Sequence, residues 1–101
     1  MANKDQPPPI HPGEILREEF LAPLGMSSRE LALALRVPAT RMNDIVNEKR
    51  GITADTALRL SRYFRTSSKF WMNLQASWEL EVAEDELGPA VRREVLPRTA
   101  V

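Results

Sequence analysis

Ala39, Thr40, Asn43, Asp44 and Asn47 stand at i, i+1, i+4, i+5 and i+8 of one short segment, the spacing of a single helix face. Four of the five carry polar side chains that match the edges of nucleic-acid bases. A carboxamide both donates and accepts, a hydroxyl does either, and a carboxylate only accepts. On a helix lying in a DNA major groove, an Asn can bond adenine bidentately. A Thr can bond a base edge or touch a thymine methyl, and an Asp can accept from cytosine. Arg41, on the flank, would reach guanine or a phosphate. Ser28 can offer the backbone N–H groups of a helix start to a phosphate, and Lys49 and Arg50 would neutralise phosphates just past the helix.

Other chemistries find little support. The chain has no cysteine and one histidine, His11. Thiolate sites are therefore absent, and with no carboxylate pair at ligand spacing near His11 a metal site is not expected. The acids of Glu14, Glu18 and Glu19, and those between Glu79 and Glu86, repeat along helical segments as solvated faces do. General acid–base work needs a sheltered pocket that such segments do not build. No serine stands in a nucleophile elbow. The expectation is a protein that is no enzyme and carries no cofactor. His11 is expected to make a local hydrogen bond or packing contact where the first helix begins.

These side chains must be held by helices, because no strand-like alternation is visible. Residues 1–9 are polar and proline-rich and read as a mobile arm. A helix starts at His11-Pro12-Gly13-Glu14, where Pro12 suits a first helical position, and Pro23 is expected to end it near Ala22. Ser27 with Glu30 three residues later is a capping box for a second helix. Leu31, Ala32 and Leu35 form its inner face. Pro38 forces a turn, and a third helix runs from about Ala39 to Asn47, seated by Met42 and Ile45 with Val37 in the turn. Thr53 caps a fourth helix with Ala57, Leu60, Ser61 and Phe64 at buried-stripe spacing. In the fifth, Phe70, Leu74, Trp78 and Val82 recur every four residues, and Gly88-Pro89 is read as its stop. Phe70 and Leu74 are expected in the core. The fold class is all-α, with a domain over residues 10–87 and a short basic tail over residues 88–101.

The second and third helices, with small Ala32 at their approach and a tight turn between them, have the pattern of a helix-turn-helix. Fourteen basic and fourteen acidic residues cancel over 101 residues, yet they are segregated. Residues 27–69 hold nine basic side chains against four acidic ones, whereas residues 70–87 hold five acids and no base. Two surfaces with different partners are expected. No run is apolar enough to span a membrane, and the first residues lack a signal-peptide core, so a cytoplasmic protein is expected.

The segments HPGEILREEFLAPLG, SRELALALRVPATRMNDIVNEKR, GITADTALRLSRYF and TSSKFWMNLQ, in that order, resemble the HigA-type antitoxins of bacterial toxin–antitoxin modules. These are a branch of the phage-repressor-like (XRE-type) helix-turn-helix family, and the resemblance spans residues 11–82. It implies a five-helix repressor-like domain that forms a homodimer, binds a palindromic double-stranded operator in its own promoter and represses its own operon. It also implies a partner toxin of RelE-like fold, an mRNA-cleaving ribonuclease neutralised in the complex. By this resemblance the base-reading positions are Ala39, Thr40, Asn43 and Asp44, with phosphate contacts near Ser28, Arg41, Asn47 and Lys49. Arg36 and Glu48 stand where the wider family carries glycine, at positions that call for a left-handed backbone.

Trp71, Leu74 and Trp78 make the apolar face of the fifth helix wide, and tryptophan is enriched at subunit interfaces; these three residues are the expected dimer contact. Two other functions fit the same residues. One is a stand-alone repressor without a toxin, and the other is a protein-interaction module whose third helix meets a protein rather than DNA.

Overall fold

The computed structural model describes residues 7–99. Most of the arm expected at the N-terminus, and the last two residues of the tail, lie outside these described residues. The first helix, α1, is a continuous rod in three parts, Pro12–Ile15, a π-helical stretch Leu16–Leu21, and Ala22–Leu24. The other four are α2 (Ser28–Leu35), α3 (Ala39–Val46), α4 (Ala54–Phe64) and α5 (Ser68–Glu94). No strand occurs among the described residues.

The π stretch is absent from the sequence reading and changes how α1 packs. Its widened turns bond each N–H five residues back, as Ala22 N–H does to the Arg17 carbonyl. Residues five apart then fall on one side, so Leu16 and Leu21 are both buried. In regular α geometry they would point well apart. The helix therefore does not stop at Ala22. Pro23 follows the widened turns, where its ring and missing N–H are accommodated, and Gly25 at φ 60° closes the helix in left-handed geometry.

His11 caps α1, its Nδ1 accepting from Gly13 N–H at 2.9 Å, and its ring meets Trp78 edge-on at 4.7 Å. This is the local role expected of it. Burial lowers its pKa from the ordinary 6.5; nearby Glu48 opposes the shift and Arg17 adds to it. The unfolded chain then takes up a proton on His11 at a higher pH than the folded chain does. Between the two values the unfolded state holds more protons, so stability must fall as pH drops below about 6.5. His11→Asn keeps a capping acceptor but does not titrate. Its Tm should fall less than that of the unchanged chain between pH 7 and pH 5, whereas parallel pH curves would show that His11 contributes nothing.

The core lies where the five helices meet. Leu16, Leu31, Met42, Ile45, Leu60 and Trp71 are fully buried there. Trp71, expected at a dimer contact, is instead the largest core side chain at 0% exposure, while Phe70, expected inside, is 37% exposed. The register of α5 is turned by one residue because Trp71 Nε1–H donates to Thr66 Oγ1 at 2.8 Å and the indole packs on Phe20. Leu74 packs against this core and Trp78 against His11, each remaining partly exposed.

The stop expected at Gly88-Pro89 does not occur, and α5 runs through both residues to Glu94. An interior proline removes one hydrogen bond. These last turns stand at the surface, where water can serve the freed carbonyl. An exposed ion pair between Glu84 and Arg92 brackets the step.

Candidate nucleic-acid interface

The expected Ser27–Glu30 capping box is present in both directions. Ser27 Oγ accepts from Glu30 N–H at 3.0 Å, and Glu30 Oε1 accepts from Ser27 N–H at 3.0 Å. That backbone bond is the main reason the Glu30 carboxyl is held below its usual range. α2 ends on Arg36 at φ 62°, the left-handed geometry expected where glycine is usual, and Val37 N–H returns to the Ala32 carbonyl at 3.1 Å. Pro38 then starts α3, whose Met42, Ile45 and Val46 are buried.

With those three side chains inward, Ala39, Thr40 and Asn43 face solvent along one edge. They share with Ser28 and Arg29 a shallow concavity of about 240 Å³ between the starts of α2 and α3. The fold thus brings Ser28, a phosphate candidate, beside Thr40 and Asn43, which are base-edge candidates. Asn47 Nδ2 donates to Asn43 Oδ1 at 3.2 Å, steadying the amide. A carboxamide oxygen has two lone pairs, so Asn43 can still accept from an adenine amino group while its own N–H donates to N7.

Three expected site residues, Arg41, Asp44 and Arg50, form ion pairs within the chain. Arg41 pairs with Asp55 at the start of α4, so its guanidinium is drawn away from the exposed edge. Arg41, and then Arg59, hold the Asp55 carboxyl below its usual range. Asp44, discordant beside phosphates, meets Arg50 at 3.4 Å, which balances its charge without a base. Lys49 and Asn47 are exposed beyond the helix end.

Glu48 takes the left-handed backbone, φ 62°, and is met by Arg17 of α1 at 3.4 Å. Arg17 also donates to the Val46 carbonyl, locking the end of α3 to α1. From the other side, Arg59 of α4 donates to the Leu35 carbonyl at 2.9 Å and fixes the end of α2. Sequence reasoning missed both arginines, because their partners lie 29 and 24 residues away. Gln75 was also missed. Buried on α5, it accepts from Ile52 N–H at 2.7 Å and holds the loop after α3.

Among the described residues, no group of three histidines, aspartates or glutamates could hold a metal, and no helix is long and apolar enough to cross a membrane. The helix-turn-helix family model matches residues 16–71, and the chain belongs to that family, whose members are DNA-binding regulators rather than enzymes. Within it the chain belongs to the HigA-type antitoxin branch. Virulence-associated protein I of Dichelobacter nodosus is 55% identical over 85 residues, covering 84% of this chain and 79% of its own. The structure of Pseudomonas aeruginosa antitoxin HigA with the higBA promoter matches at a TM-score of 0.87 and 54% identity, covering 88% of this chain and 97% of that one. Antitoxin GraA in complex with its operator matches at a TM-score of 0.88 and 43% identity, covering 98% and 100%.

Proposed function

We propose that the protein is a cytoplasmic antitoxin. As a homodimer it binds a palindromic operator in its own promoter and represses its operon, and it neutralises a RelE-like mRNA-cleaving toxin. The observation that carries this reading is the exposed Ala39–Thr40–Asn43 edge beside Ser28, on a helix seated by Met42, Ile45 and Val46. Its fold is that of two antitoxins solved with their promoter or operator DNA. In the major groove Thr40 and Asn43 read base edges and Ala39 offers an apolar contact. Ser28, Asn47, Lys49 and Arg50 meet phosphates. Arg41 and Asp44 act at the rim, where their ion pairs with Asp55 and Arg50 can be exchanged for DNA contacts.

The dimer forms through α5, but not through Trp71. Leu80, Leu87 and Val91, at i, i+7 and i+11, form one exposed stripe on the far half of the helix, with exposures of 71%, 57% and 49%. A stripe of this kind is what a second copy would cover.

The toxin reading is tested by co-expressing the chain with the protein encoded beside it. Co-purification of a small basic ribonuclease, with its mRNA cleavage suppressed in the complex, is expected. If the chain binds its operator while the neighbouring product neither co-purifies nor cleaves RNA, the protein is a stand-alone repressor.

A further inference from the structure

Away from the helix-turn-helix, the extended residues 7–10 run beside α1 and α5 and leave a groove of about 670 Å³ between them. Its apolar lining includes Pro9, Ile10, Ile15, Leu74 and Trp78, and Glu81, Glu84 and Asp85 line its acidic side. Among the described residues, no lysine or arginine lines it. Glu84 pairs with Arg92, whereas Glu81 and Asp85 make no ion pair among the described residues. The groove shares no residue with the Ser28–Thr40–Asn43 concavity or with the Leu80–Leu87–Val91 stripe. Its Leu74, Trp78, Glu81 and Asp85 lie on a different side of α5 from that stripe, with Glu84 at the margin between the two.

We infer that this groove is where the antitoxin grips its toxin, taking a basic segment that seats an apolar side chain against Trp78 and Leu74 and sets Lys or Arg beside Glu81 and Asp85. The inference rests on the toxin reading given above. Charge complementarity selects the occupant. An apolar floor beside two acids that have no ion-pair partner among the described residues disfavours nucleic acid and acidic peptides, and it suits a basic protein surface. The position of the groove gives the division of labour that such a protein requires, with the basic residues 27–69 turned to DNA and the acidic residues 70–87 to a cationic protein.

The test uses the full chain and the neighbouring gene's product, made catalytically inactive. Glu81→Lys with Asp85→Lys is expected to weaken toxin binding roughly tenfold or more and to flatten its salt dependence, while operator affinity stays unchanged. Glu19→Lys with Glu86→Lys alters charge equally on exposed positions outside the groove and should leave both affinities nearly as they were. If the first pair binds toxin like the unchanged chain, or both pairs weaken it equally, the groove is not the docking site and the antitoxin reading stands. If the unchanged chain binds no such product, both readings fall. Unchanged operator binding in either pair shows that the variant is folded.

Discussion

Gly13→Ala is expected to lower Tm by roughly 10–20 °C, the equivalent of about 3 kcal/mol. A Cβ at Gly13 would lie 1.8 Å from the Ile45 carbonyl oxygen and 2.9 Å from its carbon. Both are backbone atoms of α3, so no rotamer change can relieve the clash and a helix must move. Moving α1 would also disturb the His11 cap, whose Nδ1 is 3.0 Å from the same Cβ position, and the Arg17 bond to the Val46 carbonyl. The damage should therefore reach DNA binding even though Gly13 touches no DNA. Thermal unfolding and operator titration of the one variant check both halves. A Tm within about 2 °C of the unchanged chain would mean that α1 and α3 are not packed so closely.

Thr40→Ala together with Asn43→Ala should weaken operator binding at least about 30-fold, because each base contact contributes about 1–3 kcal/mol. The Tm should hardly change, since both side chains are exposed and only the Asn47–Asn43 bond is lost. Affinity for unrelated DNA should fall far less, so the variant loses discrimination rather than attraction. Lys49→Ala should do the reverse. It should weaken specific and unrelated DNA alike and lower the slope of log affinity against log salt by about one unit per protomer. Anisotropy titrations at several salt concentrations distinguish the two patterns. An unchanged preference in the double variant would move the reading edge elsewhere on the molecule.

The parts of the structure legible in the sequence are those specified by neighbours. The Ser27–Glu30 box, Ala32 at the helix approach, Pro38 after the turn and the Met42/Ile45 seat all lie within a few residues of what they organise. The left-handed geometry at Arg36 and Glu48 was expected only through the family resemblance, in which glycine stands at both positions. What escaped depends on distant partners. The four-residue recurrence of Phe70, Leu74 and Trp78 is real, yet Phe20, Phe64 and the Thr66 hydroxyl turn the helix so that Trp71 enters the core. Proline rules misplaced two helix ends. At Pro23 a π stretch absorbed the ring, and at Pro89 the surface tolerated it. In the candidate site, the polar edge could be read from residue types and spacing. The pairing of Arg41 with Asp55, and of Asp44 with Arg50, required the fold.

Those pairings also sharpen the place of the two acidic residues near the reading edge. Neither Asp44 nor Glu48 carries an unopposed charge, since Arg50 meets one and Arg17 the other. Their repulsion of phosphates is muted, and the basic balance of the surrounding segment is left to attract DNA.

The edge of α3 is proposed to read a specific, two-fold operator. The most direct measurement is a footprint of the purified protein on the DNA upstream of its own gene, with excess unrelated competitor. Two protected half-sites related by a dyad are predicted, their centres about one helical turn (roughly 34 Å) or a multiple apart, with protection lost in the Thr40→Ala/Asn43→Ala variant. Protection that competitor DNA abolishes equally in both proteins, or that shows no dyad, would contradict it.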